Sequence, residues 1–195
     1  MTLIKSISGI RGTIGGQPEE NLTPLDAVRF AAAYGTWLLD QNQQRKIKVV
    51  IGRDARLSGA MLQELVQNTL IGLGVDVIDA GLSTTPTIEM AVVFEQAQGG
   101  IILTASHNPK EWNALKLLNE KGEFISALDG ATLLAMVEKE AFEFAEVDAL
   151  GKCHVRNDFI EQHIQAILEL PLVNVAAIQS AGFKVVVDAV NSTGG

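Results

Sequence analysis

The chain has 195 residues, 47% of them hydrophobic and 19% charged, which is enough for a globular domain and excludes a disordered chain. The net charge of −8 disfavours a nucleic-acid-binding protein, whose surface would carry a basic face, and the single cysteine excludes an internal disulfide. The N-terminus lacks a signal-peptide pattern and no apolar run approaches the ~20 residues of a membrane span, so we expect a cytoplasmic protein that binds neither nucleic acid nor membrane.

Strand-like and helix-like segments alternate along most of the chain, which predicts an α/β fold. Helix starts are predicted at Thr23-Pro24, where threonine is a good cap and proline suits the first turn, and again at Ser58 and Thr85-Pro86. Residues 9–16 are predicted as a glycine-rich turn. The strands predicted before residue 126 cover 3–8, 48–51, 75–79, 100–103, 115–118 and 123–125, and the last two are joined as a hairpin.

The last third of the chain is predicted to be mainly helical. A helix is expected at 130–142, an irregular acidic stretch at 143–151, and a helical region at 158–179 that Pro171 interrupts. Residues 183–188 then form a predicted buried strand. Such a strand cannot satisfy its backbone groups alone, so we expect the chain to be the N-terminal part of a longer protein. The alternative is that this strand pairs at the edge of the first sheet.

A serine follows one of the buried strands at a position where ligands bind in open α/β sheets. The segment Thr104-Ala105-Ser106-His107-Asn108-Pro109 comes directly after that strand, and Asn-Pro breaks regular structure, which predicts a tight loop. Ser106 is a candidate nucleophile with His107 as base, or a carrier of a phosphoryl group. The absence of a Gly-x-Ser-x-Gly elbow disfavours a hydrolase. The simplest alternative is that Ser106 and His107 only stabilise the loop.

Arginines in two glycine-containing segments are candidate phosphate ligands. In Ser8-Gly9-Ile10-Arg11-Gly12 the glycines allow close backbone approach and Arg11 offers a planar fork. In Gly52 to Gly59, at a predicted strand exit and helix entry, Arg53 or Arg56 could neutralise a phosphate while Asp54 orients one of them. The alternatives are a turn with a solvated arginine and a capping loop with an Arg–Asp pair.

A lysine on the predicted hairpin is a candidate acid or base. Lys116 alternates with Leu115 and Leu117, so it is expected to face away from them, toward solvent or a cleft. A lysine that is partly desolvated beside a phosphate can exchange protons. The alternative is an ordinary solvated lysine. His154 and His163 lack a ligand cluster around them in sequence and are expected to be surface or packing residues.

The segment Thr104 to Pro109 resembles the phosphoserine loop of the α-D-phosphohexomutases, which include phosphoglucomutase, phosphomannomutase and phosphoglucosamine mutase. The resemblance extends in order along the chain to Ser8–Gly12, Gly52–Gly59, Thr85-Pro86 and Asn113–Lys116. It implies a three-layer α/β/α domain with a mixed, mostly parallel sheet at residues 1–150. Residues 151–195 would then be a linker helix and the first strand of a second, similar domain, which is truncated.

The resemblance also implies an enzyme that interconverts hexose 1-phosphates and 6-phosphates through a phosphoserine and a 1,6-bisphosphate intermediate. It implies hexose or hexosamine phosphates as partners, Mg²⁺ as cofactor and a hexose 1,6-bisphosphate as activator; no oligomeric state is predicted. The family's Asp-x-Asp-Gly-Asp metal loop does not occur here, so the other metal ligands are expected outside this chain, which alone is expected to be inactive. A non-catalytic phosphosugar-binding or assembly module is the alternative.

The family's site residues carry over to individual positions of this chain. Ser106 would be phosphorylated and would bind the metal through its phosphate, surrounded by Arg11, His107 and Lys116, with Lys116 as general acid or base. Two departures from the family pattern are Ala114 in place of a usual glycine and Ser8 where many members have aspartate. Further candidate phosphate-binding residues are Arg53, Arg56 and Asn108.

Overall fold

Seven strands form one sheet in the computed structural model, which describes residues 1–6, 9–42 and 46–194. The strands are β1 (Ile4–Ser6), β2 (Gly9–Thr13), β3 (Lys48–Arg53), β4 (Asp76–Leu82), β5 (Gly99–Leu103), β6 (Trp112–Leu118) and β7 (Cys153–Val155). Their order across the sheet is β1-β2-β6-β5-β3-β4-β7. Non-sequential neighbours of this kind are typical of α/β folds with crossover connections.

The sheet is mixed, and most of its strands share one direction. β3 is parallel to β4 and β5, and β4 is parallel to β7. β6 is antiparallel to both β5 and β2, and β1 is antiparallel to β2. β2 therefore runs with the four parallel strands, so that only β1 and β6 are reversed. This confirms the predicted mixed, mostly parallel sheet.

Helices cover both faces of the sheet. They are α1 (Pro24–Gln41), α2 (Gly59–Gly72), α3 (Thr85–Phe94), α4 (Ala127–Lys139), α5 (Phe159–Leu168) and α6 (Val175–Ser180), with a short 3-10 helix at Val147–Ala149. The alternation along β3 separates two cores: Val49 and Ile51 join the core of α1, α2 and α4, whereas Val50 joins Ile88 of α3 and Phe159 of α5. The predicted three-layer α/β/α architecture is confirmed. Within the described ranges, no helix is long and apolar enough to cross a membrane.

Helix α1 is held by its N-terminal cap, which the sequence predicts, and by the hydroxyl of Tyr34, which it does not. Thr23 caps the helix in a reciprocal capping box with Asp26, and Pro24 occupies the first turn. Farther along, the buried Tyr34 hydroxyl donates to the Leu118 carbonyl at 2.6 Å. A second contact of this hydroxyl, at 3.2 Å, goes to the carbonyl of Gly100, so α1 is tied to both β5 and β6.

The first glycine-rich segment was predicted as a turn, and this is wrong for its first part. Gly9–Thr13 is strand β2, because it pairs along its length with β6. Ser8 lies outside the described residues. The predicted hairpin is present in reduced form: β6 begins already at Trp112, and beyond the turn Phe124 bridges back to Leu118 and the Ile125 N–H donates to the Leu117 carbonyl.

The sheet continues past residue 150. β7 pairs with β4, and α5 packs against α3, so both belong to the first α/β/α unit. Pro171 separates α5 from α6, as predicted.

The predicted strand at 183–188 is absent: no described strand pairs with this segment, and its side chains are exposed, Val186 by 96%. The alternative edge position is also wrong, since β1 and β7 form the two edges. The second domain stays a prediction.

Candidate active site

Ser106 lies on the loop that follows β5, at the carboxyl end of that strand, as the sequence predicts. Its side chain is exposed and its backbone has φ = 57°, in the left-handed region. A residue other than glycine in that region is strained by on the order of 1–3 kcal/mol, and the strain persists only where surrounding contacts impose it. The contacts that impose it here come from two loops.

The neighbouring histidine makes only a marginal contact with the serine. The distance between Ser106 Oγ and His107 Nδ1 is 3.5 Å, at the outer limit for a hydrogen bond. In the part of the chain that the structure describes, no carboxylate hydrogen-bonds to His107. A serine hydrolase needs a base that a third group orients, so this arrangement does not support that chemistry.

Hydrogen bonds within the loop hold the backbone on both sides of the serine. The Ser106 N–H donates to Thr104 Oγ1 at 3.0 Å, and the buried Thr104 hydroxyl donates to Asp54 Oδ2 at 2.6 Å. The Asn108 backbone N–H and its side-chain amide both donate to the Ala105 carbonyl, at 3.1 and 2.8 Å. Asn108, predicted as a phosphate ligand, therefore has its amide engaged in shaping the loop.

Arg56 connects the loop after β3 to the loop that carries Ser106, residues 104–111 between β5 and β6, which we call the serine loop. Its Nε donates to Asp54 Oδ2 at 3.1 Å, as expected of an aspartate that orients an arginine. The remaining four guanidinium bonds go to main-chain carbonyls at 2.7–2.9 Å, those of Ser106, Asn108, Pro109 and Trp112. A guanidinium has five N–H donors, and all are used. A phosphate would have to displace one of these carbonyls, so the geometry disfavours the predicted phosphate contact by Arg56, which stays a prediction.

Arg53 keeps more of its hydrogen-bonding capacity. It ends β3 and is half-buried, and its Nη1 donates to the Asp54 carbonyl at 3.2 Å. Its stem lies close to the start of α2, where a Cβ added to Gly59 would stand 3.2 Å from Arg53 Cδ. Its other guanidinium donors have no acceptor among the described residues. Arg53 thus stays a candidate phosphate ligand.

Arg11 on β2 and Lys116 on β6 lie on the same face of the sheet, and β6 is the neighbour of β5, which leads into the serine. Arg11 of β2 pairs with Ala114 of β6, and Lys116 of β6 pairs with Gly9 of β2 and with Ile102 of β5. Paired residues and residues two apart share a face. Arg11 is exposed and forms no ion pair with a described residue.

Two side chains that sequence reasoning missed surround Lys116. Its Nζ lies 5.8 Å from the centre of the Phe124 ring, within cation–π range. Burial raises the pKa of Glu89 on α3, and the positive charge of Lys116 opposes that shift. The hairpin prediction could have identified Phe124, whereas Glu89 lies far before Lys116 in the chain, with no local signal.

The buried Asn113 binds the hydroxyl of Ser58, the residue that directly precedes α2, where the sequence correctly predicts a helix start. Its amide donates to Ser58 Oγ at 2.9 Å, and its Oδ1 accepts from the Ala114 N–H. The Ser58 side chain makes no capping bond to α2, although the Ser58 carbonyl accepts from the Leu62 N–H. Its hydroxyl instead joins the first turn of α2 to β6, beside the serine loop.

The remaining titratable side chains do not form a metal site by themselves. Across residues 1–6, 9–42 and 46–194, no group of three His, Cys, Asp or Glu side chains is placed to hold a metal ion. A phosphate on Ser106 would add anionic oxygens, but the protein ligands around it would still be too few.

His163 Nδ1 lies 3.0 Å from Thr87 Oγ1, between α5 and α3, and His154 is exposed on β7, which confirms their packing and surface roles.

The sequence of the chain is similar to a known protein family and to several curated proteins. Residues 3–144 match the family description phosphoglucomutase/phosphomannomutase, alpha/beta/alpha domain I. A phosphoglucomutase/phosphomannomutase of Thermococcus kodakarensis is 37% identical over 185 residues, which cover 94% of this chain and 40% of that protein. A probable phosphoglucosamine mutase of Pyrococcus abyssi is 36% identical, over 96% of this chain and 38% of that protein.

A solved structure supports the same grouping. The putative phosphomannomutase from Thermus thermophilus superimposes with a TM-score of 0.70 at 28% identity, covering 87% of this chain and 37% of that one. The chain therefore spans about two fifths of the length of the curated relatives it matches.

Proposed function

This chain belongs to the phosphoglucomutase/phosphomannomutase family, and on that premise we propose that the protein interconverts hexose 1-phosphates and hexose 6-phosphates through a phosphorylated Ser106. The observation that carries the proposal is the placement of Ser106. Its hydroxyl is exposed on a tightly bonded loop at the carboxyl end of β5, and the strand next to β5 presents Lys116. A fixed, accessible hydroxyl beside cations is what reversible phosphoryl transfer requires.

The proposed step transfers one phosphoryl group between two oxygens. The P–O bond to Ser106 Oγ breaks, and a P–O bond to a free hydroxyl oxygen of the hexose monophosphate forms. The sugar hydroxyl loses one proton and Ser106 Oγ gains one as it leaves, and Lys116 relays this proton by acting as general acid to the serine oxygen and general base to the sugar hydroxyl. The resulting hexose 1,6-bisphosphate reverses in the site and returns its other phosphoryl group to Ser106 by the same step in reverse.

Arg11 supplies positive charge beside this step. Its guanidinium is exposed and forms no ion pair with a described residue, so it is available to phosphate oxygens. Arg53, with donors left over, would contribute in the same way. Mg²⁺ and the hexose 1,6-bisphosphate activator remain part of the proposal, but the described side chains do not make a magnesium site, and no step above depends on the ion. A cytoplasmic location is proposed as well.

The names of the relatives support hexose phosphates as the class of substrate, but they differ in which sugar each enzyme uses. They include phosphoglucomutase/phosphomannomutase, phosphoglucosamine mutase and phosphomannomutase. We propose hexose or hexosamine phosphates as substrates. Turnover of glucose 1-phosphate, mannose 1-phosphate and glucosamine 1-phosphate by the full-length protein would rank them by kcat/KM. That the 195-residue chain alone is inactive stays a prediction.

The test is intact mass and phosphosite mapping of the full-length protein after incubation with glucose 1,6-bisphosphate and Mg²⁺. We expect one added phosphoryl group on Ser106, and none in a Ser106→Ala variant, which should also lose mutase turnover. A folded wild-type protein without phosphate on Ser106 would overturn the proposal. If calorimetry then showed binding of the bisphosphate, a phosphosugar-binding module would replace it, and labelling of Ser106 by a fluorophosphonate would indicate a hydrolase.

A further inference from the structure

We propose that Arg56 is a positioning residue for the phosphoryl transfer: its guanidinium holds the backbone conformation that presents Ser106 Oγ. This inference rests on the proposed mutase function. It assigns Arg56 a role different from contact with substrate, because the side chain is only 12% exposed and all five of its N–H donors bind protein acceptors.

The acceptors surround the guanidinium from a single stretch of chain. Four of them are the carbonyls of Ser106, Asn108, Pro109 and Trp112, so the loop is folded around the planar group. A lysine has three donors on one nitrogen and cannot reach four divergent carbonyls and a carboxylate together. The geometry therefore requires arginine at this position.

A closed ring of hydrogen bonds fixes both peptide groups of the serine. The Ser106 carbonyl accepts from Arg56 Nη2, and Arg56 Nε donates to Asp54 Oδ2. The same Asp54 oxygen accepts from the Thr104 hydroxyl, which in turn accepts from the Ser106 N–H. The ring starts and ends at Ser106, the residue with left-handed φ. It accounts for how a serine is kept in a conformation that favours glycine.

The ring acts on catalysis through geometry. In-line transfer needs the serine oxygen, the phosphorus and the sugar oxygen to be aligned, and a displacement of about 1 Å can cost on the order of 100-fold in rate. Loosening the ring should therefore slow the transfer of the phosphoryl group to Ser106. It should leave the affinity for the sugar phosphate nearly unchanged, because Arg56 has no donor free to bind it.

The experiment compares Arg56→Lys with wild type in the full-length protein, and Arg29→Lys serves as the matched control. Arg29 forms two ion pairs, with Glu19 and Glu140, away from the serine loop. The readouts are the single-turnover rate of phosphoryl transfer from glucose 1,6-bisphosphate to Ser106, the KM for the sugar phosphate, and the Tm. We expect Arg56→Lys to slow the transfer by about 100-fold. Its KM should stay within threefold of wild type, and the control should match wild type in rate.

A second variant covers the case in which Arg56→Lys does not fold. Thr104→Val removes the acceptor for the Ser106 N–H and keeps every Arg56 bond, and we expect it to slow the same transfer by at least tenfold at unchanged KM. Added guanidinium should also restore part of the rate in Arg56→Ala and none in Thr104→Val.

The outcomes separate this inference from the function on which it rests. A raised KM with unchanged transfer rate in Arg56→Lys would make Arg56 a phosphate ligand and overturn the inference. A transfer rate within threefold of wild type would overturn it as well. If the wild-type protein itself takes no phosphoryl group on Ser106, the proposed function fails, and the inference fails with it.

Discussion

Arg11 and Lys116 lie one diagonal step apart across the β2–β6 ladder, on the same face of the sheet. Arg11 pairs with Ala114, two residues before Lys116, and Lys116 pairs with Gly9, which has no side chain to cover it. Diagonal neighbours of this kind stand roughly 7–8 Å apart. Neither cation forms an ion pair with a described carboxylate. The two charges are therefore placed together on one face of the sheet, where both can act on the same anion.

Replacement of Lys116 separates its charge from its ability to exchange a proton. Arginine keeps the positive charge but does not give up its proton, whereas glutamine loses both properties. We expect both variants of the full-length protein to lose about 10²–10⁴-fold in kcat, the contribution typical of an acid or base. Steady-state kinetics should show a raised KM for Lys116→Gln only. A near-normal kcat in Lys116→Arg would show that the lysine contributes charge alone.

Gly9 is expected to be far less tolerant of alanine than Gly15. Both have positive φ, 132° and 93°, but a Cβ on Gly9 would stand 1.9 Å from the Leu115 carbonyl oxygen, whereas one on Gly15 meets nothing within 4 Å. Gly15→Ala should cost roughly 1–2 kcal/mol for its backbone conformation alone. Gly9→Ala should cost about 1–3 kcal/mol more, since the ladder with β6 must shift. Urea unfolding of the 195-residue chain measures both, and equal losses would contradict the contact.

The only tyrosine of the chain gives a direct test of the core at alkaline pH. Burial raises the pKa of Tyr34 far above its ordinary value, and the hydrogen bond to Gly100 only partly opposes the shift. In the unfolded chain the phenol ionises near pH 10. Its contribution to stability is therefore complete below about pH 10 and is lost as the pH rises above that value.

Absorbance at 295 nm should follow this titration in the 195-residue chain. We expect no tyrosinate signal from the native protein at about pH 10–11 and a normal titration in guanidinium chloride. The Tyr34→Phe control should lose about 1 kcal/mol of stability at neutral pH, through its hydrogen bonds to Leu118 and Gly100. Its stability should also fall less steeply in alkali. Native ionisation at the ordinary pKa of tyrosine would show that the hydroxyl is accessible to solvent.

The exposed ion pair between Arg156 and Asp158 should keep the Asp158 carboxyl group ionised in acid. The side-chain hydrogen bond from Arg156 lowers the pKa of Asp158 to about 2. A carboxyl with a lowered pKa favours the folded state above its ordinary pKa, and that contribution is lost as the pH falls toward about 2. Carbon-13 NMR titration should show the Asp158 pKa raised toward its ordinary value in Arg156→Gln, although the hydrogen bond from Gln162 remains. An unchanged value in that variant would assign the shift to another cause.

Local chemistry made much of the fold and part of the site predictable. The cap at Thr23, the loop after β5 and the Asp54–Arg56 pair all follow from residues close together in sequence. The acceptors of Arg56 do not, because they are main-chain carbonyls some fifty residues away and carbonyls carry no sequence signal. The segment at 183–188 shows the opposite limit: its apolar run predicts burial, but burial needs a partner surface, and no described element provides one.

Because Arg56 binds the serine loop through its main chain, the bonds do not depend on which side chains the loop carries. Lys110 and Glu111 are exposed and make no bond to Arg56, so replacing them leaves all four carbonyl acceptors in place. The side chains at these positions can thus change while the backbone conformation of the loop stays the same. These two positions are the natural ones to randomise when engineering what this edge of the sheet recognises.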